Sequence, residues 1–481
     1  MATQWRPAFE TQPTETETHL DVEGEVPGWL RGTYLLNGPG AFEAGGEPLT
    51  HWFDAYAMLR RFGFEDDGLR YANRYVQSRD HEYEQRTGGV RRPFPGTPPD
   101  RSLPVQVWQA LSGAFPDNPA IGVARMGGTT LAVTESPVGL AVDPETLSVT
   151  GRRDLTAGLD ADLTLGHLHG TGDGFYNLGV SYGRDPAYTL FRRPDADPAR
   201  ADPTPLTRVR IDRRYVPYVH SFALTERYAV LVLPPFGLDP RALLAGAFSG
   251  GTFVDAFDGF DDPTTVVVLD RETGRESARI TADPLFVYHH ANAYEDGGEV
   301  VLDCVAYPDE RAVTGLTLDG LRTGGPEVAG DLIRLRLPLS GGRADRTLVH
   351  EGPVEFPMIH YRRYNGREYG SVWLAEVEAG PIASRLSRVP VDGGRPAVYD
   401  PGEGVYPGEP AFVPAPSPDG ETDGVVLSVL LDAGEDRSVL AVLDAAEMTE
   451  LARAPLPHRL PYAFHGQFFP AGDGGTARTM N

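Results

Sequence analysis

Four of the twelve histidines stand beside short apolar runs: His167 in TLGHLHGTGDGFYNLG, His220 in YVPYVHSFALTERYAVLV, His289 in FVYHHANAYEDGGEVVLD and His465 in LPYAFHGQFF. A single histidine so placed is more often a satisfied core or surface residue than a ligand. Spacing changes the reading. Glutamates occur in similar settings, Glu355 in PVEFPMIHYR and Glu409 in YPGEPAFVP, with Glu135 in LAVTESPVGL as an upstream candidate. The series His167, His220, His289, Glu355, Glu409, His465 advances by 53, 69, 66, 54 and 56 residues. That step is near the roughly 40 to 50 residues of a propeller blade with added loops. Each blade would then present one ionisable residue to a shared axis, where one metal could collect four imidazoles.

Neutral imidazole suits iron, zinc, copper and nickel, and four of them around a six-coordinate ion leave positions open for dioxygen or substrate. Iron(II) is the expected metal. Glu135, Glu355 and Glu409 fit positions behind the ligands, where each would accept an imidazole N–H and fix its tautomer. They would also offset a double charge that four neutral ligands leave uncompensated in an apolar interior. His169 and His290 lie close enough in sequence to compete as second-choice ligands. His19, His51, His81, His350, His360 and His458 read as structural or exposed.

The elements that must carry these residues are short. Gly and Pro, 56 and 43 residues, favour tight turns over long helices. Candidate strands recur at Gly32–Leu36, Thr130–Thr134, Gly174–Val180, Tyr228–Pro234, Thr264–Leu269, Glu299–Val305, Leu332–Leu337, Ser371–Glu376, Gly424–Leu430 and Ser438–Leu443, separated by turns such as TGDG, EDGG and VDGG. The pattern predicts an all-β sandwich, barrel or propeller. Helices are expected only at Pro240–Phe248 and Val105–Phe115. No low-complexity linker divides the chain, so one domain over 19–471 is expected, with tails at 1–18 and 472–481.

The net charge of −25 arises from 68 acidic residues against 43 basic ones, all arginine, since the chain has no lysine. Such a surface repels phosphate backbones and disfavours a nucleic-acid partner. It suits a high-salt cytoplasm, which full retention of the fold after low-salt dialysis would argue against. Cys304 is the sole cysteine, so disulfides, thiolate zinc sites and iron–sulfur clusters lack ligands. The N-terminal residues carry no signal-peptide pattern, and no run is long enough to span a membrane. A cytoplasmic protein, free or resting on a membrane surface, is expected.

Ordered motifs from about Arg31 to about Phe469 resemble the carotenoid cleavage oxygenase family. RGTYLLNGPGAFEAGG and HWFDAYAMLRRF open the match, followed by TESP, DPETL, GHLHG with YNLG, YVHSF, HHANAYED, EFP, GEPAFVP and FHG. The resemblance implies a seven-bladed β-propeller with a loop and helix dome over its iron-bearing face. It implies His167, His220, His289 and His465 as iron ligands, His289 over His290 because the family's ligand stands three residues before Asn292. It implies Glu135, Glu355 and Glu409 as the carboxylates behind them. Two departures stand out: Leu168 replaces the family's proline after the first ligand, and PFPGTPPDRS has no counterpart of the animal-type PDPC segment.

The implied reaction is oxygenolytic cleavage of a carotenoid or apocarotenoid double bond to aldehydes, with central cleavage to retinal preferred. The alternatives are an iron-dependent retinoid isomerohydrolase and a metal-free ligand-binding propeller. Lysine absence disfavours the stilbene-cleaving branch, which is thought to engage a phenol through lysine and tyrosine. A long apolar substrate needs a tunnel and a route from the bilayer. Leu233–Phe257 and Val105–Pro116 are apolar enough to supply both, with Leu243, Leu244, Phe248 and Trp108 at a membrane-facing mouth. Oligomeric state is not legible.

Overall fold

The computed structural model describes residues 4–98, 115–324, 330–377 and 380–472. All ten expected strands form, within three residues of the expected bounds at each end except for Gly32–Ala41, which is longer by five. They belong to six largely antiparallel sheets, one of them spanning two blades, that make up seven blades. The first contains Gly32–Ala41, Tyr56–Glu65 and Gly68–Tyr75, and the second runs from Gly122–Met126 to Val149–Asp154. The third and fourth are centred on Gly174–Ser181 and Tyr228–Leu233. The fifth begins at Phe286–Asp296 and is joined to the sixth by one long strand, Asp345–Met358. Residues 345–350 of that strand and Val354 pair with Gly330–Pro338, and Val354, Glu355 and Met358 pair with Ser371–Glu376. The seventh holds Gly424–Asp432 and Arg437–Asp444.

Closure follows from pairing and from packing. The last strand, Gly466–Pro470, pairs with Gly32–Ala41, so the two ends of the chain share the first blade. Strands in the middle of a blade are covered on both faces, which is why Gly174–Ser181 and Tyr228–Leu233 are buried throughout. Outer strands such as Glu276–Ala282 alternate, with Ala278, Ile280 and Ala282 buried. Alternate residues of one strand therefore serve two neighbours. Val425 and Leu427 pack with Tyr34 and Leu36 of the first blade, while Val426 packs with Trp373 of the sixth. Similar apolar cores lie between the first and second blades (Leu59 with Val123), second and third (Leu131 with Phe175), third and fourth (Leu178 with Leu231), fourth and fifth (Val266 with Leu302), and fifth and sixth (Val301 with Leu374). The sequence of contacts returns to its start, so the molecule is a seven-bladed β-propeller.

Connections at one end of the ring build a dome. The helix Pro240–Ser249 starts after Asp239, whose side chain accepts the Arg241 N–H at 2.8 Å, and stops at Gly250 with φ +84°. It agrees with the expected Pro240–Phe248. The Val105–Phe115 helix, including Trp108, lies outside the described residues apart from Phe115.

One expectation is corrected. Residues 6 to 18 do not form a tail: Ala8 and Phe9 are fully buried, the Phe9 carbonyl accepts from the Arg322 guanidinium, and Thr16–Leu20 adds an edge strand to the first blade. Two apolar residues sufficed to anchor a segment whose composition is otherwise polar. At the C-terminus, Gly472 is an exposed turn residue, and 473–481 lie outside the described residues.

Candidate metal centre

His465 immediately precedes Gly466–Pro470, His220 precedes Ala223–Leu224, His167 precedes His169–Thr171, and His289 lies within Phe286–Asp296. Each is on or at the entry to its blade's innermost strand, as are Glu355 and Glu409 in the sixth and seventh blades. Glu135 arrives by a different path. It follows Thr129–Val133, the second strand of its blade, and antiparallel pairing of Gly122 with Val133 brings that strand's exit to the face where the innermost strand begins. The backbone N–H of His465 donates to Ile121, fixing this edge of the second blade against the first. The seven groups thus come one from each blade.

The four histidines offer ring nitrogens that all lie within 4.8 Å of one another, and all four residues are buried. His167 Nε2 and His220 Nε2 are 3.0 Å apart. Behind them, His220 Nδ1 lies 2.5 Å from Glu135 Oε1, His289 Nδ1 2.5 Å from Glu355 Oε2 and His465 Nδ1 2.7 Å from Glu409 Oε1. With these carboxylates ionised, each Nδ1 carries the hydrogen and each Nε2 presents its lone pair to the axis. Among the described residues, His289 Nε2 is buried without a hydrogen-bond partner. An orphaned lone pair in such a place is expensive unless a cation takes it. Burial, reinforced by the other three imidazoles, holds His289 well below the usual histidine range, so it stays neutral and able to coordinate.

The carboxylates are themselves held. Tyr307 donates to Glu355 Oε1 at 2.7 Å and Tyr218 to Glu135 Oε1 at 3.0 Å. Backbone N–H groups of Phe356 and Gly466 donate to Glu355 and Glu409 at 2.6 and 2.8 Å. Phe356 has φ +52°, a conformation that strains a non-glycine residue by about 1–3 kcal/mol. That backbone turns its N–H onto the carboxylate while its ring lies 5.7 Å from the His289 ring at 27°. The aromatic supports were missed in the sequence, where a tyrosine next to an apolar run has no distinguishing signal.

The two competing histidines face elsewhere. His169 has both nitrogens occupied, by Tyr361 Oη and the Phe222 carbonyl at 2.7 Å each. His290 meets Ser221 Oγ at 2.8 Å. Of the remainder, His51 meets the Val313 carbonyl and His458 the Tyr71 hydroxyl.

A cavity of about 840 Å³ runs past the cluster, bounded by Phe53, Phe94, Phe253, Phe257, Leu316 and Phe464 among others. Leu243, Leu244 and Phe248 border it at one end, where Leu244 and Phe248 are 57% and 61% exposed.

The model of the family described as RPE65, retinal pigment epithelial membrane protein, matches residues 9–470. The chain belongs to the RPE65, or carotenoid oxygenase, family. Relatives in this family include the carotenoid isomerooxygenase of Galleria mellonella, 30% identical across 97% of this chain and 96% of the insect protein. The β,β-carotene 15,15′-dioxygenase of Mus musculus is 28% identical across 94% and 89%. Among solved structures, a cobalt-substituted apocarotenoid oxygenase from Synechocystis superposes with a TM-score of 0.84 at 24% identity, covering 97% of this chain and 98% of that one. The last likeness bears on the propeller fold.

Burial raises the Glu355 carboxyl from 4.5 to about 7, against the opposing bonds from Tyr307 and Phe356. A carboxyl that holds its proton more tightly when folded loses stability as pH rises through this interval. The metal-free protein should therefore become less stable between about 4.5 and about 7, by on the order of 3 kcal/mol from this group. Denaturant titrations across that range should show the slope in the wild type and a flatter profile in Glu355→Gln; parallel profiles would contradict it.

Proposed function

We propose that the chain is a non-haem iron(II) dioxygenase that cleaves a double bond of a carotenoid or apocarotenoid with O2 to give two carbonyl products. The observation that carries this reading is the buried four-imidazole cluster opening onto an apolar cavity, in a chain whose relatives are named carotenoid dioxygenases. His167, His220, His289 and His465 would hold the ion, with Glu135, Glu355 and Glu409 orienting three of them. When bound, iron supplies the activation of dioxygen next to the polyene.

The remaining work falls to side chains. The apolar wall removes water from a long hydrophobic substrate and lines it up past the histidines, so the depth of insertion selects the bond that reacts. Phe53, Phe464 and Phe356 line the cavity, where aromatic rings can stabilise cationic character developing along the polyene. Central cleavage giving retinal is the preferred case.

Iron-loaded protein incubated with β-carotene and a series of apocarotenals should consume one O2 per pair of carbonyl products, identified by mass. Glu409→Gln should weaken metal affinity about 10- to 100-fold and lower turnover at limiting iron in parallel. Isomerised alcohol formed from a retinyl ester without oxygen uptake would instead support the isomerohydrolase reading, and absence of any turnover of polyene or ester by iron-replete protein would overturn both.

We also place the cavity mouth on a membrane surface, on the cytoplasmic side. Among the described residues no helix is long and apolar enough to cross a bilayer, so contact would be peripheral. The support is the exposed pair Leu244 and Phe248 beside the opening; Leu243 packs against the core and is less suited to the role. With a net charge of −25, attraction to anionic lipid is absent and apolar burial must provide the binding. Leu244→Asp with Phe248→Asp should abolish flotation with zwitterionic vesicles while leaving the melting temperature unchanged; unaltered flotation would reject the membrane role.

A further inference from the structure

Five tyrosines line the cavity: Tyr182, Tyr218, Tyr288, Tyr307 and Tyr462. Four of their hydroxyls are committed to the protein. Tyr218 and Tyr307 donate to the carboxylates of the metal cluster, Tyr288 donates to the Ala312 carbonyl at 3.0 Å, and Tyr462 donates to the Pro407 carbonyl at 2.9 Å. The Tyr182 hydroxyl has no such partner among the described residues. Its ring is held edge-on to Phe253 at 6.2 Å, and its backbone N–H donates to Asp162 Oδ2 at 2.7 Å. Asp162, Tyr182 and Thr252 border the cavity beside the helix that carries Leu244 and Phe248, which places them at the open end. Leu316, Val377 and Ile382, also in the cavity wall, are buried aliphatic groups.

We propose that Tyr182 is a specificity-determining residue that hydrogen-bonds the oxygenated end of an apocarotenoid, so that the enzyme takes a polyene with one polar terminus and threads its hydrocarbon end past the histidines. The inference rests on the oxygenase reading and names its substrate class. Burial and the nearby carboxylates of Glu135 and Asp162 keep the Tyr182 hydroxyl protonated, hence a donor for an alcohol or aldehyde oxygen. A hydrocarbon terminus at the same place would strip water from that hydroxyl and return no bond, which is how a site built around a hydrogen bond rejects an analogue that lacks the acceptor. The reverse orientation would push the polar terminus among aliphatic side chains, where an unpaired hydroxyl or carbonyl is costly. The end group thus sets the direction of entry as well as affinity.

The test compares full-length, iron-loaded wild type with Tyr182→Phe, which deletes one oxygen and keeps the ring packed on Phe253. An apocarotenol, the matching apocarotenal and a hydrocarbon polyene of equal length are titrated by quenching of tryptophan emission, Trp52 being in the cavity wall, and their turnover is followed separately. Wild type should bind the two oxygenated ligands roughly tenfold more tightly than the hydrocarbon, and Tyr182→Phe should bring all three to within about twofold. Full discrimination retained in Tyr182→Phe, or equal binding of the three ligands by wild type that cleaves them, would overturn the inference and leave the oxygenase reading in place. Discriminating binding that Tyr182→Phe abolishes, with no cleavage of any ligand, would remove the oxygenase reading and leave the subsite. Failure of wild type to bind all three would overturn both.

Discussion

Four buried imidazoles whose ring nitrogens lie within 4.8 Å of one another are the constraint on which this protein is organised. Lone pairs converging in that way repel each other and have given up their hydration. A divalent cation resolves the conflict, and three carboxylates behind the rings supply both the orientation and the opposing charge. No local stretch of chain could deliver such a set. The ligands must arrive from separate directions, and the innermost strands of a closed ring of sheets provide them.

That requirement explains why closure matters to the chemistry. His465 stands where the last strand of the chain enters the first blade, so the pairing of Gly466–Pro470 with Gly32–Ala41 that seals the ring also seats a ligand. Alternating apolar residues along each strand weld it to both neighbouring blades, as Val425 and Val426 do on opposite faces. A shift of one residue in such a strand would exchange the two faces and rotate the strand's entry residue off the axis. Packing between blades and geometry at the centre are therefore a single problem with a single solution.

Much of this is legible in the chain itself. Short apolar runs punctuated by glycine turns mark the strands because period and turn chemistry are local properties, and the spacing from His167 to His465 marks the blades because each blade contributes one residue at the same topological position. Glu135 escapes that series for a topological reason: it leaves the second strand of its blade instead of entering the first, and only antiparallel pairing brings it to the same face. Phe9 and its neighbours look like a tail in sequence because two buried residues in a polar segment create no pattern. Phe356, Tyr218 and Tyr307 act through a strained backbone and through hydroxyls aimed across the fold, neither of which leaves a trace in sequence. The dome was legible at Pro240, where proline follows a capping aspartate, and the cavity beneath it was legible only as an excess of apolar residues.

The central claim is that four imidazoles from four blades share one ion, and X-ray absorption at the iron edge tests it most directly. Protein loaded with one equivalent of iron(II) should show scattering from four imidazole rings, falling to three in His167→Ala that still folds. Iron bound without imidazole scattering, or a spectrum indifferent to that substitution, would contradict the account.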